Sequence, residues 1–250
     1  MGKSARQTIE EGPSAFSDAD RELAATLDNL DDAHNYRQWI FDMIEPALGA
    51  RVLEAGAGHG TFTELLANGH AVTATDFSER CVGELRERFA ERPEVTVLQC
   101  DLVGSAAGGP YDTAVLINVL EHIEDDAGAL RELAAQLVAG GQLALWVPAH
   151  MQLYSDFDRS IGHYRRYTRE GLRQRLLDAG FIVDEIRYVN LVGAFAWWVV
   201  ARQLHRAPTG KMGVTVFDRY FIPVLRRLEG GREMPAGQSV LALAHTPKPR

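Results

Sequence analysis

The chain has 250 residues, of which 46% are hydrophobic and 24% are charged, a composition typical of a globular protein with one substantial core. Its formal net charge of −8 at pH 7 argues against general affinity for nucleic acid, which calls for a basic face. No stretch reaches the roughly 18 consecutive apolar residues that a membrane-spanning helix needs. We therefore expect a cytoplasmic protein that neither spans a membrane nor binds nucleic acid.

The sequence predicts a short arm followed by one domain. Residues 1–20 mix glycine, serine, proline and charge without a period, which indicates a flexible arm. A helical pattern then places Tyr36 and Trp39 on one face and ends at Pro46, ahead of the first predicted strand. We interpret residues 21–250 as a single domain.

From residue 51 onward, short apolar runs alternate with amphipathic stretches. The apolar runs include RVLEA, AVTATD, VTVLQCD, YDTAVLIN and QLALWVP. Such alternation is typical of an α/β protein in which a doubly wound parallel sheet carries helices on both faces. The helix before the fifth strand is predicted to cover residues 126–141. Ligands of such folds bind beyond the carboxyl ends of the strands.

The alternation is interrupted after Pro148. Residues 149–168 show no period, and a long loop at the carboxyl end of a strand is usually functional. A helix and a strand follow. Residues 190–235 then predict a helical insertion before the last strand, QSVLALAHT.

A glycine turn with acidic neighbours indicates a ligand site. The turn in VLEAGAGHG contains Gly56, Gly58 and Gly60, and acidic residues end three successive strands, Glu54, Asp76 and Asp101. Glycine lets a ligand approach the backbone, although tight turns also use glycine for structural reasons alone. Each acid alone is more typical of a solvated turn residue. Because the three acids end three successive strands, together they indicate a binding site for an adenosine ligand.

The spacing of the glycines distinguishes between adenosine ligands. A dinucleotide site requires G-x-G-x-x-G, whereas here the third glycine comes one residue early. The carboxylate of Glu54 would repel a pyrophosphate but suits a sulfonium or amino group. The charge pattern therefore favours a cationic ligand and disfavours a nicotinamide-dependent oxidoreductase.

The same motifs resemble those of the class I S-adenosylmethionine-dependent methyltransferases. The resemblance covers roughly residues 35–189 and is carried by VLEAGAGHGTFTELL, TATDFS, QCDL and NVLEHIEDD. It implies a Rossmann-like sheet of seven strands whose last strand is antiparallel, S-adenosylmethionine as the cofactor and a small-molecule acceptor. It also implies a set of cofactor contacts: Tyr36, Glu54, Gly56, Gly58, Gly60, Asp76, Phe77, Asp101, Leu102 and Asn118.

The loop after the fifth strand carries candidate catalytic residues. A hydroxyl acceptor must lose its proton during or after attack on the methyl group, and histidine is the usual base near neutral pH. His150, two residues beyond Pro148, is the leading candidate, with a surface histidine of no catalytic role as the alternative. His163 and Tyr154 are further candidates on the same loop, where lid packing is the alternative for the tyrosine.

Four residues are candidates for acceptor binding: His122, Tyr164, Arg165 and Arg166. The two arginines precede a helix that Thr168 is expected to cap. They would clamp a phosphate or carboxylate of the acceptor, or else form part of a solvated helix face.

A metal site is a weaker prediction. In some members of the resembling class, an E-H pair after the fourth strand helps to hold a divalent ion, which would place Mg²⁺ at Glu121 and His122. Two ligands from one turn do not complete a site, so the sequence favours a capping or acceptor-facing role for His122.

The predicted activity is methylation of a hydroxyl. NYRQW and IGHYRRYT resemble a subgroup from actinobacterial glycan and natural-product pathways, which implies a sugar or natural-product acceptor. The alternatives are N- or C-methylation, or a non-catalytic adenosine-ligand or partner-binding protein that docks through LVGAFAWWVV. Trp197 and Trp198, expected to be exposed, predict a homodimer contact within residues 190–235.

Overall fold

A computed structural model of the chain describes residues 31–102, 107–199, 211–230 and 232–248. The predicted arm, residues 1–20, lies outside the described residues, and so does most of the helical pattern that precedes Tyr36. The division into an arm and a single domain therefore stays a prediction.

One seven-stranded sheet organises the described residues, in the order β3-β2-β1-β4-β5-β7-β6. The strands are β1 Arg51–Ala55, β2 Ala71–Asp76, β3 Val95–Gln99, β4 Tyr111–Ile117, β5 Leu137–Pro148, β6 Ile182–Val189 and β7 Ser239–His245. Strands β1 to β5 pair in parallel, and β7 is antiparallel to both β5 and β6. The predicted sheet, with its antiparallel last strand, is confirmed.

Helices lie on both faces of the sheet, as predicted. They are α1 His34–Ile44, α2 Thr63–Leu66, α3 Glu79–Arg88, α4 Asp126–Gln136, α5 Asp156–Ser160, α6 Arg169–Asp178, α7 Leu191–Trp197, α8 Lys211–Val216 and α9 Ile222–Glu229. Helices α4 and α6 contribute leucines to one buried cluster, whereas apolar side chains of α1, α3 and α9 enter the other. Side chains of a strand alternate between faces, so Ala114 and Leu116 of β4 enter the first cluster and Val115 enters the second.

The boundary between α4 and β5 differs from the prediction. Helix α4 ends at Gln136 and β5 begins at Leu137, although the apolar pattern predicted a helix through residue 141. Leu137 instead pairs with Tyr111 of β4, and regular pairing resumes between Thr113 and Gln142 after a bulge. Gly140 has a φ of +77°, which a right-handed helix does not accommodate.

The segment predicted as a helical insertion contains α7, α8 and α9, with a π-helical turn, Phe217–Phe221, between the last two helices. Asp218 of this turn is buried and accepts hydrogen bonds from the peptide N–H groups of Asn35 and Tyr36, at 3.1 and 2.8 Å. These donors lie in the first turn of α1, where no intrahelical acceptor exists. Asp218 therefore caps α1 from a distant part of the chain.

Helix α7 packs back onto the loop after β5. The indole of Trp197 donates a hydrogen bond to the carbonyl of Leu153 (3.0 Å) and is half-buried, so only Trp198 is exposed as expected. Among the described residues, no helix combines the length and the apolar character that crossing a membrane requires.

Candidate active site

The carboxyl edge of the sheet concentrates unusual backbone conformations. Three non-glycine residues of the described chain have a positive φ: Asn118 (54°), His150 (63°) and Asn190 (65°). They follow β4, β5 and β6 respectively, at the same edge of the sheet. Non-glycine residues in this region are strained, and such strain concentrates at functional sites. The candidate site therefore lies along this edge.

The glycine turn requires glycine for two reasons. Gly56, Gly58 and Gly60 have φ values of 73°, 57° and 85°. A Cβ on Gly56 would lie 2.5 Å from Cγ2 of Val119, and one on Gly60 would collide with the ring of Phe89. The three positions therefore favour glycine because of their positive φ values, and Gly56 and Gly60 also leave no room for a side chain.

Glu54 is a buried carboxyl group beneath this turn. Its Oε2 accepts a hydrogen bond from the Thr63 hydroxyl at 2.5 Å. Burial raises the pKa of Glu54 to about 8, and the hydrogen bond from Thr63 offsets only part of that effect. The group is therefore mostly protonated at neutral pH, and a cation placed beside it would favour the carboxylate.

Asp76 ties the tip of β2 to the glycine turn. It is 7% exposed, and it accepts hydrogen bonds from the peptide N–H groups of Gly58 (3.0 Å) and Ser78 (2.9 Å). Burial raises the pKa of Asp76, while these backbone hydrogen bonds act in the opposite direction. The structure thus joins Asp76 to the glycine turn, two features that the sequence predicted to lie in one site.

The other predicted cofactor residues lie at different places along the edge. Phe77 is 72% exposed, Asp101 is exposed and Leu102 is buried next to residues 103–106, which are outside the described residues. Asn118 is half-buried, and its N–H donates to the carbonyl of Trp146 (2.8 Å).

Tyr36 lies against the carboxyl end of β5. Its ring packs edge-on against Trp146 of β5, with a centroid separation of 6.1 Å. Its hydroxyl faces the side chains of Ser239 and Asn190, and burial raises its pKa. Its predicted contact with the cofactor remains a prediction.

His150 presents a neutral imidazole at the tip of β5. Its ring stacks on Tyr188, with centroids 4.4 Å apart. Burial, and then the charge of Arg166, lower its pKa. Nε2 is buried and has no hydrogen-bond partner in the part of the chain that the structure describes. No hydrogen bond within the described residues therefore competes with an external partner for this nitrogen.

A buried ion cluster anchors the loop after β5. Oδ1 of Asp158 accepts hydrogen bonds from Nε of Arg166 (2.7 Å) and Nδ1 of His163 (2.9 Å), and Oδ2 accepts from the N–H and hydroxyl of Ser155. Burial alone would raise the pKa of Asp158, but His163 and Arg166 outweigh it and lower the pKa to about 2. Asp158 is therefore a charged group held entirely inside the protein.

The same cluster brings His163 to the turn after β4. Glu121 is fully buried, and its Oε1 lies 3.7 Å from Nε2 of His163. The rings of His122 and His163 meet edge-on with centroids 4.5 Å apart. One ligand atom from each of these three residues lies within 4.8 Å of the others. The structure therefore adds a third residue to the pair that the sequence proposed.

The predicted acceptor-binding arginines are engaged within the protein. Arg165 forms an ion pair with Asp126 (2.8 Å) and donates to the carbonyl of Ile123, and Arg166 pairs with Asp158. Such contacts hold the loop against its neighbours. A direct role of either arginine toward an acceptor remains a prediction.

The two predicted tyrosines differ in exposure. The Tyr154 hydroxyl donates to the carbonyl of His163 (2.7 Å), whereas Tyr164 is 53% exposed. Tyr164 is tied to the turn after β4 by its peptide N–H, which donates to the carbonyl of Glu121. Tyr154 therefore supports the loop, and only the Tyr164 ring is presented to solvent.

The sequence reasoning missed Asp158 and Tyr188. The S-x-x-D spacing from Ser155 to Asp158 is a signal for a helix start, and α5 does begin there. No sequence pattern marked Asp158 as buried or Tyr188 as the stacking partner of His150, because both facts depend on contacts between distant segments.

With this geometry established, comparisons with known proteins identify the class. The family described as a methyltransferase domain matches residues 18–186. A probable S-adenosylmethionine-dependent methyltransferase of Mycobacterium tuberculosis is 32% identical over 166 residues, or 63% of this chain and 59% of the relative. A ubiquinone biosynthesis O-methyltransferase of Xanthomonas axonopodis is 31% identical over 112 residues, or 43% of this chain and 46% of the relative.

The fold is also shared with solved structures. A glycopeptide N-methyltransferase in complex with S-adenosylmethionine has a TM-score of 0.57 at 16% identity, over 84% of this chain and 87% of that one. The chain spans less than two thirds of the curated relatives described above. It belongs to the family described as a methyltransferase domain, and it is similar to S-adenosylmethionine-dependent methyltransferases.

The buried ion pair predicts a large effect on stability. Arg166→Met would leave Asp158 buried without its guanidinium partner, so we expect a loss of about 3–5 kcal/mol in the free energy of unfolding. Urea denaturation measures this loss. The matched control is Arg159→Met, which removes a solvent-exposed ion pair to Asp156 and should leave stability nearly unchanged. Equal effects of the two substitutions would show that Asp158 does not depend on Arg166.

Proposed function

We propose that the protein transfers the methyl group of S-adenosylmethionine to a hydroxyl of a small molecule, with His150 as the general base. The observation that carries the proposal is the imidazole at the tip of β5, neutral and strained, with a buried nitrogen that lacks a partner among the described residues. This combination suits a proton acceptor that acts near neutral pH.

The cofactor half of the proposed site lies at the tips of β1 to β4. The ammonium or sulfonium charge of S-adenosylmethionine would lie near Glu54, and its ribose near Asp76. The exposed ring of Phe77 and the edge at Asp101 would border the adenine. Support comes from the burial of both acids and from the hydrogen bond that joins Asp76 to Gly58 of the turn.

The proposed reaction is an in-line displacement. The acceptor oxygen forms a bond to the methyl carbon as the carbon–sulfur bond breaks, and the acceptor proton passes to Nε2 of His150. The products are a methyl ether, S-adenosylhomocysteine and a protonated histidine that then releases its proton to water. Because positive charge disperses in the transition state, alignment in a dry site is the main contribution of the protein.

The acceptor is proposed to be a sugar or a natural product, with the enzyme acting in the cytoplasm. The support is the resemblance to actinobacterial enzymes, the mycobacterial relative and the O-methylating relative. Methylation of nitrogen or carbon is the alternative, since a free amine or an electron-rich carbon can attack the methyl group without this base. A homodimer through residues 190–235, with Trp198 exposed, is part of the same proposal.

Cofactor binding is expected to release a proton from Glu54. With its pKa raised to about 8, the free protein holds a proton on Glu54 at pH 7. A cationic ligand lowers that pKa, so binding should release up to about one proton and strengthen from pH 7 to pH 8. Calorimetry in buffers of different ionisation enthalpy measures the release. Glu54→Gln should abolish it, whereas the exposed control Glu91→Gln should retain it.

Substitution of Asp76 is expected to weaken cofactor binding. Asp76→Ala removes a charged acceptor for the ribose hydroxyls, so we expect the Kd for S-adenosylmethionine to rise by on the order of tenfold or more. Isothermal titration calorimetry measures the Kd. Asp184→Ala, a substitution on β6, is the control. An unchanged Kd in the Asp76 variant would contradict the proposed ribose contact.

Substitution of His150 is expected to lower turnover without weakening cofactor binding. His150→Ala should retain cofactor affinity and lower kcat by about 10²- to 10⁴-fold, since the proton has no acceptor. The assay follows labelled methyl transfer from S-adenosylmethionine to a panel of hydroxyl compounds and cell extracts. Full activity in the variant would favour N- or C-methylation. Absence of transfer by the wild-type protein to every acceptor would favour a binding protein.

A further inference from the structure

We infer that Glu121, His122 and His163 form a binding site for one divalent transition-metal ion between the turn after β4 and the loop after β5. The metal site itself is independent of the proposed reaction, and only its role toward an acceptor rests on that function. Two ligands come from the turn after β4, and the third comes from the loop after β5.

Glu121 supplies the first argument. Its side chain is fully buried, and apart from its own peptide N–H neither carboxyl oxygen has a hydrogen-bond partner among the described residues. A buried polar group without partners is costly and is rare in native proteins. A cation held between the carboxylate and the neighbouring imidazoles would satisfy both oxygens.

His163 is oriented as metal-binding histidines usually are. Its Nδ1 faces Asp158 at 2.9 Å, and because a carboxylate only accepts hydrogen bonds, the proton lies on Nδ1. In the neutral ring the lone pair is then on Nε2, which lies 3.7 Å from Oε1 of Glu121. A carboxylate behind a histidine fixes its tautomer and strengthens it as a ligand. Arg166 holds Asp158 in place.

His122 supplies the second imidazole. Its ring meets the ring of His163 edge-on, with centroids 4.5 Å apart. The His122 ring also forms a hydrogen bond with the backbone of Gly162. One ring nitrogen of His122 lies within 4.8 Å of the ligand atoms of Glu121 and His163, which is close enough for the three to share one ion.

The donor set indicates the kind of ion. Two imidazole nitrogens and one carboxylate are typical of Zn²⁺, Fe²⁺ and Co²⁺ sites that keep open positions, whereas Mg²⁺ prefers oxygen ligands. We therefore assign the site to a transition metal in preference to the Mg²⁺ that the resemblance implied. The open positions would bind an acceptor hydroxyl and lower its pKa, which selects acceptors with metal-binding oxygens.

The experiment uses the full chain, freed of metal with a chelator and titrated with Co²⁺ as the probe. Visible absorption reports nitrogen and carboxylate coordination, and elemental analysis reports stoichiometry. We expect one ion per chain. Glu121→Gln, which nearly preserves shape, and His163→Ala should each weaken binding at least about tenfold. The controls are Glu124→Gln, on an exposed carboxylate nearby, and His70→Ala, whose ring contacts the carbonyl of Gly49 instead.

Circular dichroism of each variant identifies a loss of folding, and Glu121→Gln alone suffices if His163→Ala unfolds. The inference is overturned if the wild-type chain binds no stoichiometric Co²⁺, or if binding is unchanged in Glu121→Gln. Calorimetry with S-adenosylmethionine is run on the same samples. Intact cofactor binding without metal binding would overturn the metal site alone, and metal binding without cofactor binding would overturn the proposed function alone.

Discussion

The removal of carboxyl groups from water at one edge of the sheet is the constraint on which the site depends. Glu54, Asp76, Glu121 and Asp158 are all buried there. An ionised carboxylate inside a protein is costly unless charge or hydrogen bonds compensate. Asp158 is compensated by Arg166 and His163 and remains charged, whereas burial raises the pKa values of Glu54 and Glu121 to about 8. Asp158 is therefore a compensated anion that fixes the loop, Asp76 accepts hydrogen bonds from two backbone N–H groups, and the remaining two carboxyl groups favour a cation beside them.

The two halves of the site are built by different kinds of contact. The proposed cofactor half is local, because Gly58 and Asp76 lie in adjacent βα turns and are joined by a single hydrogen bond. The proposed acceptor half is assembled from segments far apart in the chain. The Tyr164 N–H reaches the Glu121 carbonyl, and the Trp197 indole reaches the Leu153 carbonyl. The loop thus rests on the turn after β4 on one side and on α7 on the other.

This difference explains what could be predicted from the sequence. The strands, the glycine turn and the acids at strand tips follow from periodicity and spacing, which are local. The end of α4 was predicted wrongly because Leu137 continues an apolar helical pattern while its pairing with Tyr111 depends on a distant strand. In the sequence, Asp158 is one of several charged residues in DFDRS, and only the three-dimensional structure shows that it is buried. For the same reason, Arg165 and Arg166 looked available to a ligand although buried acids engage both.

The capping of α1 by Asp218 has a consequence for the exchange of segments between homologous proteins. The segment before β7 holds the first turn of α1 through the Asn35 and Tyr36 N–H groups, and α1 places the Tyr36 ring over β5. Another segment of the same length but without an acid at this position would leave that helix start uncapped. The segment before β7 therefore cannot be exchanged between homologues by itself. A working chimera must take α1 and the segment that carries Asp218 from the same protein.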